Sequence, residues 1–438
     1  MPANPSPLQS LRDELASSSS PKAPSAIAFR FAANANSNAS RNTYITLYET
    51  ESLHRAEQLP HLFPDAQARP PLYGIPVSIK DCFDVAGSVT TCGSRFYAQH
   101  NPVATKNSWV AQRLLDAGAI LTGKTHLHQL AYGITGENAD YGDCVQPRDA
   151  TLLTGGSSSG AAASVQEGSA LVAIGTDTGG SVRVPATLCG LAGYRTSHGV
   201  SLGETRWAGG YHLAPTFDTI GLLFRDLRDA PAFANAIFDI ALISPPAKIR
   251  IGFAGDDFVH DCDPAVLSAY EAWKQNLAAR GATLSSFDTA FWSDSAEIYS
   301  SIQANEAAVV HRGNFQHFEP VIAQRLAWGA SFSPAQLDVF RQRLQKFRSQ
   351  MSTLFERFDL LIAPATPVNK LYAGHDHTES RKALLRYTTP ASLSGLPAVI
   401  LPGENIGAAL GTGVQLLAAP MQDAMLLAFA SELSPLQS

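Results

Sequence analysis

The sequence contains few of the residues that mark several large protein classes. Its 438 residues include 5 cysteines and 4 methionines, and 32 basic and 38 acidic residues leave a formal net charge of −6. A nucleic-acid surface normally carries clustered basic residues, yet basic residues are adjacent only at Arg381-Lys382. This balance argues against a nucleic-acid partner and predicts a small-molecule substrate.

The cysteines are too few and too scattered to form a framework. They are odd in number, and none belongs to a Cys-x-x-Cys pair (Cys82, Cys92, Cys144, Cys189 and Cys262). Disulfide networks and structural zinc sites need paired or closely spaced cysteines. We therefore expect each cysteine to be a small buried apolar residue, and we predict no metal and no cofactor.

Signals for membrane insertion or export are also missing. The uncharged stretch 151–166 is rich in Gly, Ser, Thr and Ala, and it is too short and too polar to span a bilayer. Residues 1–10 have neither the charged segment nor the apolar segment of a signal peptide. We predict no membrane span and a cytoplasmic location.

What the sequence does contain is an alternation of helical and strand patterns. Apolar runs predict strands at 74–80, 119–123, 170–174, 249–253, 360–363, 397–401 and 414–417. Helical patterns occur at 45–58, 108–118, 160–167, 229–238, 264–280, 296–358 and 421–433, with Gly281 placed to end one of them. This alternation predicts an α/β fold.

We accordingly predict a single α/β/α sandwich domain around a mixed, mostly parallel central sheet. It would occupy residues 41–438. Residues 1–40 are rich in Ser, Ala, Pro and Asn, and we interpret them as an N-terminal helix and a linker, including 17–21, packed on the outside.

Two segments rich in glycine and hydroxyl side chains interrupt the apolar patterning. They read Thr154-Gly155-Gly156-Ser157-Ser158-Ser159-Gly160 and Gly175-Thr176-Asp177-Thr178-Gly179-Gly180-Ser181-Val182-Arg183. A flexible linker fits poorly, because the flanking residues are apolar and a buried loop needs its backbone paired. A phosphate-binding loop would end in Gly-Lys-Ser/Thr, and neither segment contains lysine. Both segments are better suited to presenting catalytic hydroxyls.

The second segment, continued through Val184-Pro185-Ala186-Thr187-Leu188-Cys189-Gly190-Leu191-Ala192-Gly193, resembles the core motif of the amidase signature family. The resemblance extends upstream to Gly74-Ile75-Pro76-Val77-Ser78-Ile79-Lys80-Asp81 and Thr122-Gly123-Lys124-Thr125. Downstream it includes Ala363-Pro364-Ala365-Thr366-Pro367 and Gly395-Leu396-Pro397-Ala398. These motifs are spread over most of the chain.

The resemblance implies three catalytic residues: Lys80 as the base, Ser157 as the cis-serine and Ser181 as the nucleophile. A serine hydroxyl is a weak nucleophile until a base takes its proton, and a lysine buried in apolar surroundings can supply a neutral amine. The backbone N–H groups around Thr178, Gly179 and Gly180 are suited to stabilise the oxyanion.

The activity so implied is hydrolysis of a carboxylic amide through an acyl-serine, without a cofactor. Esters, carbamates and urea-derived amides such as allophanate offer the same carbonyl. The family resemblance also suggests a homodimer. We interpret Asp177 and Arg183 as a structural ion pair, and Ser158 and Ser159 as hydrogen-bond supports or a helix cap.

Three alternatives remain open. Gly156-Ser157-Ser158-Ser159-Gly160 satisfies the Gly-x-Ser-x-Gly elbow of α/β-hydrolases, which would make Ser158 the nucleophile of an esterase, although 149–154 makes a poor strand. His126 and His128 resemble a zinc-binding pair, but no further ligands follow, and surface histidines are the better interpretation.

The third alternative is the glutaminase subunit of a tRNA-dependent amidotransferase, which works with partner proteins. The sequence departs from the family pattern at Tyr194-Arg195-Thr196-Ser197-His198-Gly199 and at Cys144-Val145-Gln146-Pro147-Arg148. These departures favour a stand-alone enzyme. Segments 132–141 and 304–315 are candidates for the pocket wall.

Overall fold

A computed structural model describes residues 4–17, 22–38, 41–403 and 410–433 of the chain. In chain order its strands are β1 Tyr44–Leu47, β2 Pro76–Lys80, β3 Ile120–Thr125, β4 Val145–Gln146, β5 Asp149–Leu153, β6 Val172–Thr176, β7 Ala192–Arg195, β8 Ile220–Phe224, β9 Arg250–Ala254, β10 Thr283–Phe287, β11 Leu360–Pro364, β12 Ala398–Leu401 and β13 Val414–Ala418.

The helices surround these strands. They are α1 Pro7–Ser17, α2 Ala23–Ser37, α3 Glu49–Leu62, α4 Arg95–His100, α5 Trp109–Asp116, α6 Ser159–Glu167, α7 Arg183–Leu188, α8 His198–Ser201, α9 Ala230–Phe238, α10 Asp256–Val259, α11 Pro264–Ala279, α12 Ser295–Val310, α13 Pro320–Ala330, α14 Pro334–Arg357, α15 Thr378–Leu393 and α16 Asp423–Ser431.

All but two of these strands form one sheet of 11 strands, in the order β1-β3-β2-β6-β8-β7-β12-β13-β11-β9-β10. Parallel pairing is found in two runs, β3-β2-β6 and β11-β9-β10. The strands between these runs, and the edge strand β1, pair antiparallel. The predicted α/β architecture around a mixed sheet is confirmed, and its parallel character is found in these two runs.

The first parallel run is the part of the sheet that positions the candidate site. Every residue of β2, β3 and β6 is buried, as expected for strands that are covered on both faces. Helix α6 packs against all three of these strands, and its small side chains allow close approach. The loops that follow β2 and β6 therefore emerge beside one another at one edge of the sheet.

Two sequence predictions need correction. Residues 45–58 are not one helix, because β1 pairs antiparallel with β3 and α3 begins only at Glu49. The alternating Tyr-Ile-Thr-Leu side chains of β1 suit an edge strand. Residues 149–154 do contain a strand: β5 pairs with β4 in a hairpin outside the main sheet.

The N-terminal region contains two helices, α1 and α2. Apolar side chains of both helices, including Leu8, Leu11 and Ile27, are buried in the main hydrophobic core. Of the predicted linker 17–21, residues 18–21 lie outside the described residues. The division of the chain at residue 40 stays a prediction.

The cysteines and Gly281 are placed as the sequence predicts. All five cysteines are buried and free. Gly281 follows α11 with a φ of +92°, which agrees with its predicted position at the helix end. Among the described helices, none combines the length and apolar character required to cross a bilayer.

Candidate active site

Lys80 ends β2 with its ammonium group inside the protein. Its side chain is 0% exposed, and Nζ donates to Ser157 Oγ at 2.8 Å and to Thr176 Oγ1 at 2.7 Å. Both partners are hydroxyls, and no ion pair within the described ranges includes Lys80. Burial lowers the pKa of Lys80 to about 8, because desolvation disfavours the charged form.

Ser157 lies in the loop between β5 and α6, and the peptide bond from Gly156 to Ser157 is cis. The Ser157 carbonyl accepts a hydrogen bond from the His128 amide at 3.2 Å. The side chain is 1% exposed. The predicted base and the predicted cis-serine are therefore in direct contact at the end of the parallel strands.

Ser181 lies in the loop between β6 and α7 and is 5% exposed. Its carbonyl accepts from the Ser158 amide at 3.2 Å, which holds the two serine-bearing loops side by side. Within the described residues, no hydrogen bond joins the Ser157 and Ser181 hydroxyls. Catalytic hydrogen bonds are often absent or long before substrate binds.

The glycines before Ser181 are required by close packing. A Cβ on Gly179 would lie 2.3 Å from Tyr299 Oη, and a Cβ on Gly180 would lie 2.8 Å from Thr388 side-chain atoms. Gly180 also has a φ of +123°, which side-chain-bearing residues rarely adopt. A side chain at either position would force its neighbours to move, and at Gly180 it would also strain the backbone.

The Asp177 carboxylate holds this loop in place through two buried arginines. Its Oδ1 accepts from Arg183 Nη2 at 3.0 Å and from Arg195 Nη1 at 2.8 Å, and all three side chains are 0% exposed. Burial alone would raise the pKa of Asp177, but the two guanidinium groups hold it well below its usual range. The predicted Asp177–Arg183 ion pair is present, with Arg195 as a second cation.

The backbone N–H groups of the loop differ in whether they already donate a hydrogen bond within the protein. The Gly180 N–H donates to Asp177 Oδ1 at 2.9 Å, a contact that competes with its predicted oxyanion role. The N–H groups of Thr178, Gly179 and Ser181 have no acceptor among the described residues. The Thr178 hydroxyl donates to Asp218 Oδ1 at 2.6 Å, which fixes the start of the loop.

A narrow cavity opens on Ser181. Its wall includes Ala131, Tyr132, Gly133, Ile134, Gly179, Tyr299, Gln303, Arg381 and Leu385. The predicted wall segment 132–141 contributes only its first residues. The predicted segment 304–315 is wrong by about one helical turn, because α12 contributes Tyr299 and Gln303 instead.

Ser158, the alternative nucleophile, faces away from this cavity. It is 0% exposed, and its hydroxyl donates to the Thr176 carbonyl at 3.2 Å while accepting from the Thr176 amide at 3.3 Å. These contacts tie α6 to β6. The geometry gives Ser158 a supporting role, as its position before the helix predicted.

His126 and His128 are buried, so their interpretation as surface residues is wrong. Nε2 of His126 contacts the Gly142 carbonyl at 2.8 Å, and Nε2 of His128 lies 3.7 Å from Glu319 Oε1. Burial holds the pKa of His128 well below its usual range. No group of three or more His, Cys, Asp or Glu residues in the described ranges is arranged to hold a metal.

Sequence reasoning missed several residues of the site. Thr176 belongs to the second glycine-rich segment, and its hydroxyl beside Lys80 could have been inferred from the adjacency of β2 and β6. The others come from distant segments whose approach has no local signal (Arg195, Asp218, Tyr299, Gln303 and Arg381).

Known proteins resemble this chain over most of its length. The family model described as Amidase matches residues 26–427. The 1-carboxybiuret hydrolase subunit AtzE of Pseudomonas sp. (strain ADP) is 33% identical over 394 residues, covering 82% of this chain and 83% of its own. A glutamyl-tRNA(Gln) amidotransferase subunit of Koribacter versatilis (strain Ellin345) is 28% identical, covering 88% and 89% respectively.

A solved structure gives the same result for the fold. A crystal structure of an amidase superimposes with a TM-score of 0.86 at 27% identity, and the match covers 97% of this chain and 98% of that one. The similarity therefore includes the sheet, the helices around it and the loops that carry the candidate site.

Proposed function

The chain belongs to the amidase family and is an amidase acting on carbon–nitrogen bonds, and we propose that it hydrolyses a carboxylic amide through an acyl ester on Ser181. The observation that carries this proposal is the fully buried Lys80 amine, 2.8 Å from Ser157 Oγ and beside the loop of Ser181. A lysine whose pKa is lowered to about 8 supplies a neutral amine near neutral pH.

Acylation starts with a proton relay. The Ser157 hydroxyl gives its proton to Lys80 Nζ and takes the proton of Ser181, whose oxygen bonds to the substrate carbonyl carbon. The carbonyl π electrons move to oxygen and form a tetrahedral oxyanion. We assign the N–H groups of Gly179 and Ser181, which have no acceptor among the described residues, as donors to this oxyanion. One such donor typically contributes about 3 kcal/mol of transition-state stabilisation.

Collapse of the oxyanion breaks the carbon–nitrogen bond. The leaving nitrogen takes a proton from Ser157, which recovers one from Lys80, so an amine or ammonia departs rather than an amide anion. Water then attacks the Ser181 ester while the same relay accepts its proton. The acid leaves, and Ser181 regains its hydroxyl.

Substrate range and assembly belong to the same proposal. Any acyl group with a similarly placed carbonyl suits this nucleophile, so esters and carbamates are candidates beside amides. The Pseudomonas relative is a subunit of a 1-carboxybiuret hydrolase, which supports including urea-derived amides. We also propose a cytoplasmic homodimer, on the basis of the family resemblance.

A second candidate is the glutaminase subunit of an amidotransferase, supported by the 28% identity to the Koribacter versatilis amidotransferase subunit. That function depends on partner proteins. Amide hydrolysis by the purified chain alone favours the stand-alone enzyme. Glutamine hydrolysis that starts only when partner proteins are added favours the other function.

Labelling with a fluorophosphonate probe, in the presence of a metal chelator, tests the nucleophile directly. Peptide mapping should find one adduct, on Ser181. Ser181→Ala should lose labelling and lower kcat by at least about 1,000-fold, because the acyl ester cannot form. Ser158→Ala is the matched control and should still be labelled. An adduct on Ser158, or wild-type turnover by Ser181→Ala, would contradict the proposal.

A further inference from the structure

The cavity beside Ser181 contains polar side chains that have nothing to bind within the protein. Among the described residues, the Tyr132 and Tyr299 hydroxyls, the Gln303 amide and the Arg381 guanidinium make no hydrogen bond. Buried polar groups in folded proteins are almost always paired. Two of the unpaired atoms, Gln303 Oε1 and Arg381 Nε, are buried, and their position around one cavity therefore points to a bound molecule that pairs them.

Gln303 shows that this side of the cavity is enclosed. The residue is 4% exposed, and its Oε1 atom is buried without a hydrogen-bond partner among the described residues. A buried amide oxygen left unpaired costs about 1–3 kcal/mol. A ligand that carries an N–H group would satisfy it.

Arg381 brings a positive charge to the cavity beside Ser181. It lies in the first turn of α15, its Nε atom is buried without a partner, and it forms no ion pair with any described carboxylate. Burial lowers the pKa of Arg381, against the opposing effect of the Tyr132 and Tyr299 rings. A partly buried guanidinium whose Nε is desolvated and which has no counter-ion favours a bound anion.

Two neighbouring arginines differ from Arg381 because each has a partner within the protein. Arg386, five residues along α15, pairs with Asp261 at 3.0 Å. Arg325 donates to the Tyr132 carbonyl at 2.9 Å, and the positive charge of Arg381 is among the causes that lower the pKa of Arg325 to about 10, after burial. The cavity is thus positively charged on the side of Arg381.

We propose that Arg381 binds a carboxylate of the substrate, so that the preferred substrate is a small amide that also carries a carboxylate group. The inference rests on the proposed function of Ser181. The planar guanidinium can form two parallel hydrogen bonds with a carboxylate. The two tyrosine hydroxyls add donors, and Gln303 Oε1 accepts an N–H of the same substrate.

Matched pairs of substrates test this selectivity at pH 8, where every carboxylate is ionised. Malonamate, succinamate and glutaramate are compared with propionamide, butyramide and pentanamide, in which a methyl group replaces the carboxylate. The wild-type enzyme should have a kcat/KM at least tenfold higher for one acid of the series than for its neutral partner. Arg381→Met should lower that value about 10- to 100-fold, with the neutral amide changed less than threefold.

Two further variants separate charge recognition from structure. Lys382→Met removes one positive charge from the adjacent, exposed position of the same helix and should leave the preference intact. Arg381→Lys keeps the charge but loses the planar pair of donors, so it should restore part of the preference. Equal losses with acid and neutral substrates in Arg381→Met would assign Arg381 a structural role and overturn the proposal.

Calorimetric titration of Ser181→Ala with the same six amides measures their binding affinities in the absence of turnover. We expect acid amides to bind at least tenfold more tightly than their neutral partners, and the difference to vanish in Ser181→Ala/Arg381→Met. No acid preference in either binding or turnover overturns the carboxylate subsite. Wild-type turnover by Ser181→Ala would instead overturn the proposed nucleophile, while an Arg381-dependent preference in binding would survive.

Discussion

Two lysines at the ends of neighbouring strands show how the same residue type serves different purposes. Lys80 ends β2, and Lys124 lies near the end of β3, opposite Ile79 in the parallel register. Both side chains are 0% exposed. Lys80 contacts two hydroxyls, whereas Lys124 forms an ion pair with Asp81 at 2.5 Å and also donates to the Val89 carbonyl at 3.0 Å.

The difference between these lysines lies in their partners, because their burial is the same. A carboxylate beside an ammonium group favours the charged form, and a hydroxyl does so much less. Lys124 is therefore suited to anchoring Asp81. Lys80 is suited to gain and lose a proton, as a general base must.

Replacing Lys80 gives the largest expected effect on activity. Lys80→Met should lower kcat/KM by roughly 100- to 10,000-fold, the usual contribution of a general base. The thermal unfolding midpoint should stay the same or rise, because no carboxylate is left unpaired. Steady-state kinetics and scanning calorimetry on the same sample measure both. A variant that keeps wild-type activity would show that Lys80 is only structural.

Replacing Lys124 should have the opposite outcome. Lys124→Met leaves the buried Asp81 carboxylate with its hydrogen bonds from Thr91 but without a counter-charge. Such a change typically costs about 3–5 kcal/mol, and the unfolding midpoint should fall. Burial already raises the pKa of Asp81, against the opposing effect of Lys124. The destabilisation should therefore shrink as pH falls and Asp81 takes up a proton.

A double variant isolates the ion pair. Asp81→Asn combined with Lys124→Met removes both charges, so it should recover part of the stability lost in Lys124→Met alone. Urea denaturation of the single and double variants provides the comparison. Equal stability of Lys124→Met and the wild type would mean that the buried pair has no structural role.

The sequence predicts features of the site whose partners are close in the chain. Asp177 and Arg183 are six residues apart, on one loop and the helix after it, so their pairing follows from local geometry. The strand that places Lys80 follows from its apolar pattern. The serine-bearing loops stand out because glycine and hydroxyl residues interrupt buried segments.

What the sequence could not predict depends on contacts across the chain. Arg195 reaches Asp177 from 18 residues away, and Asp218 holds Thr178 from 40 residues away. Arg381 and Gln303 line the same cavity as Ser181 because α12 and α15 pack against each other. Such approaches depend on sheet order, and hydrophobic periodicity carries no information about it.

The smallest effect we predict concerns the pKa of Lys80 and how its two hydroxyl partners influence that pKa. In the wild type, kcat/KM should rise with pH and level off above a midpoint near pH 8, the value to which burial lowers the pKa of Lys80. Below that midpoint each unit of pH should cost about tenfold in rate, because only the neutral amine accepts a proton.

Thr176→Val replaces the second hydroxyl partner with a side chain of similar shape. Thr176 Oγ1 accepts from Lys80 Nζ at 2.7 Å, and an acceptor favours the protonated lysine. Its loss should lower the pKa of Lys80 further and move the midpoint of the pH profile to lower pH, with kcat at high pH reduced only a few-fold. Ser78→Ala is the matched control, since the Ser78 hydroxyl, on the same strand as Lys80, contacts Ser164 without reaching Lys80. A midpoint that moves upward, or moves equally in both variants, would contradict the assignment of Lys80 as the titrating base.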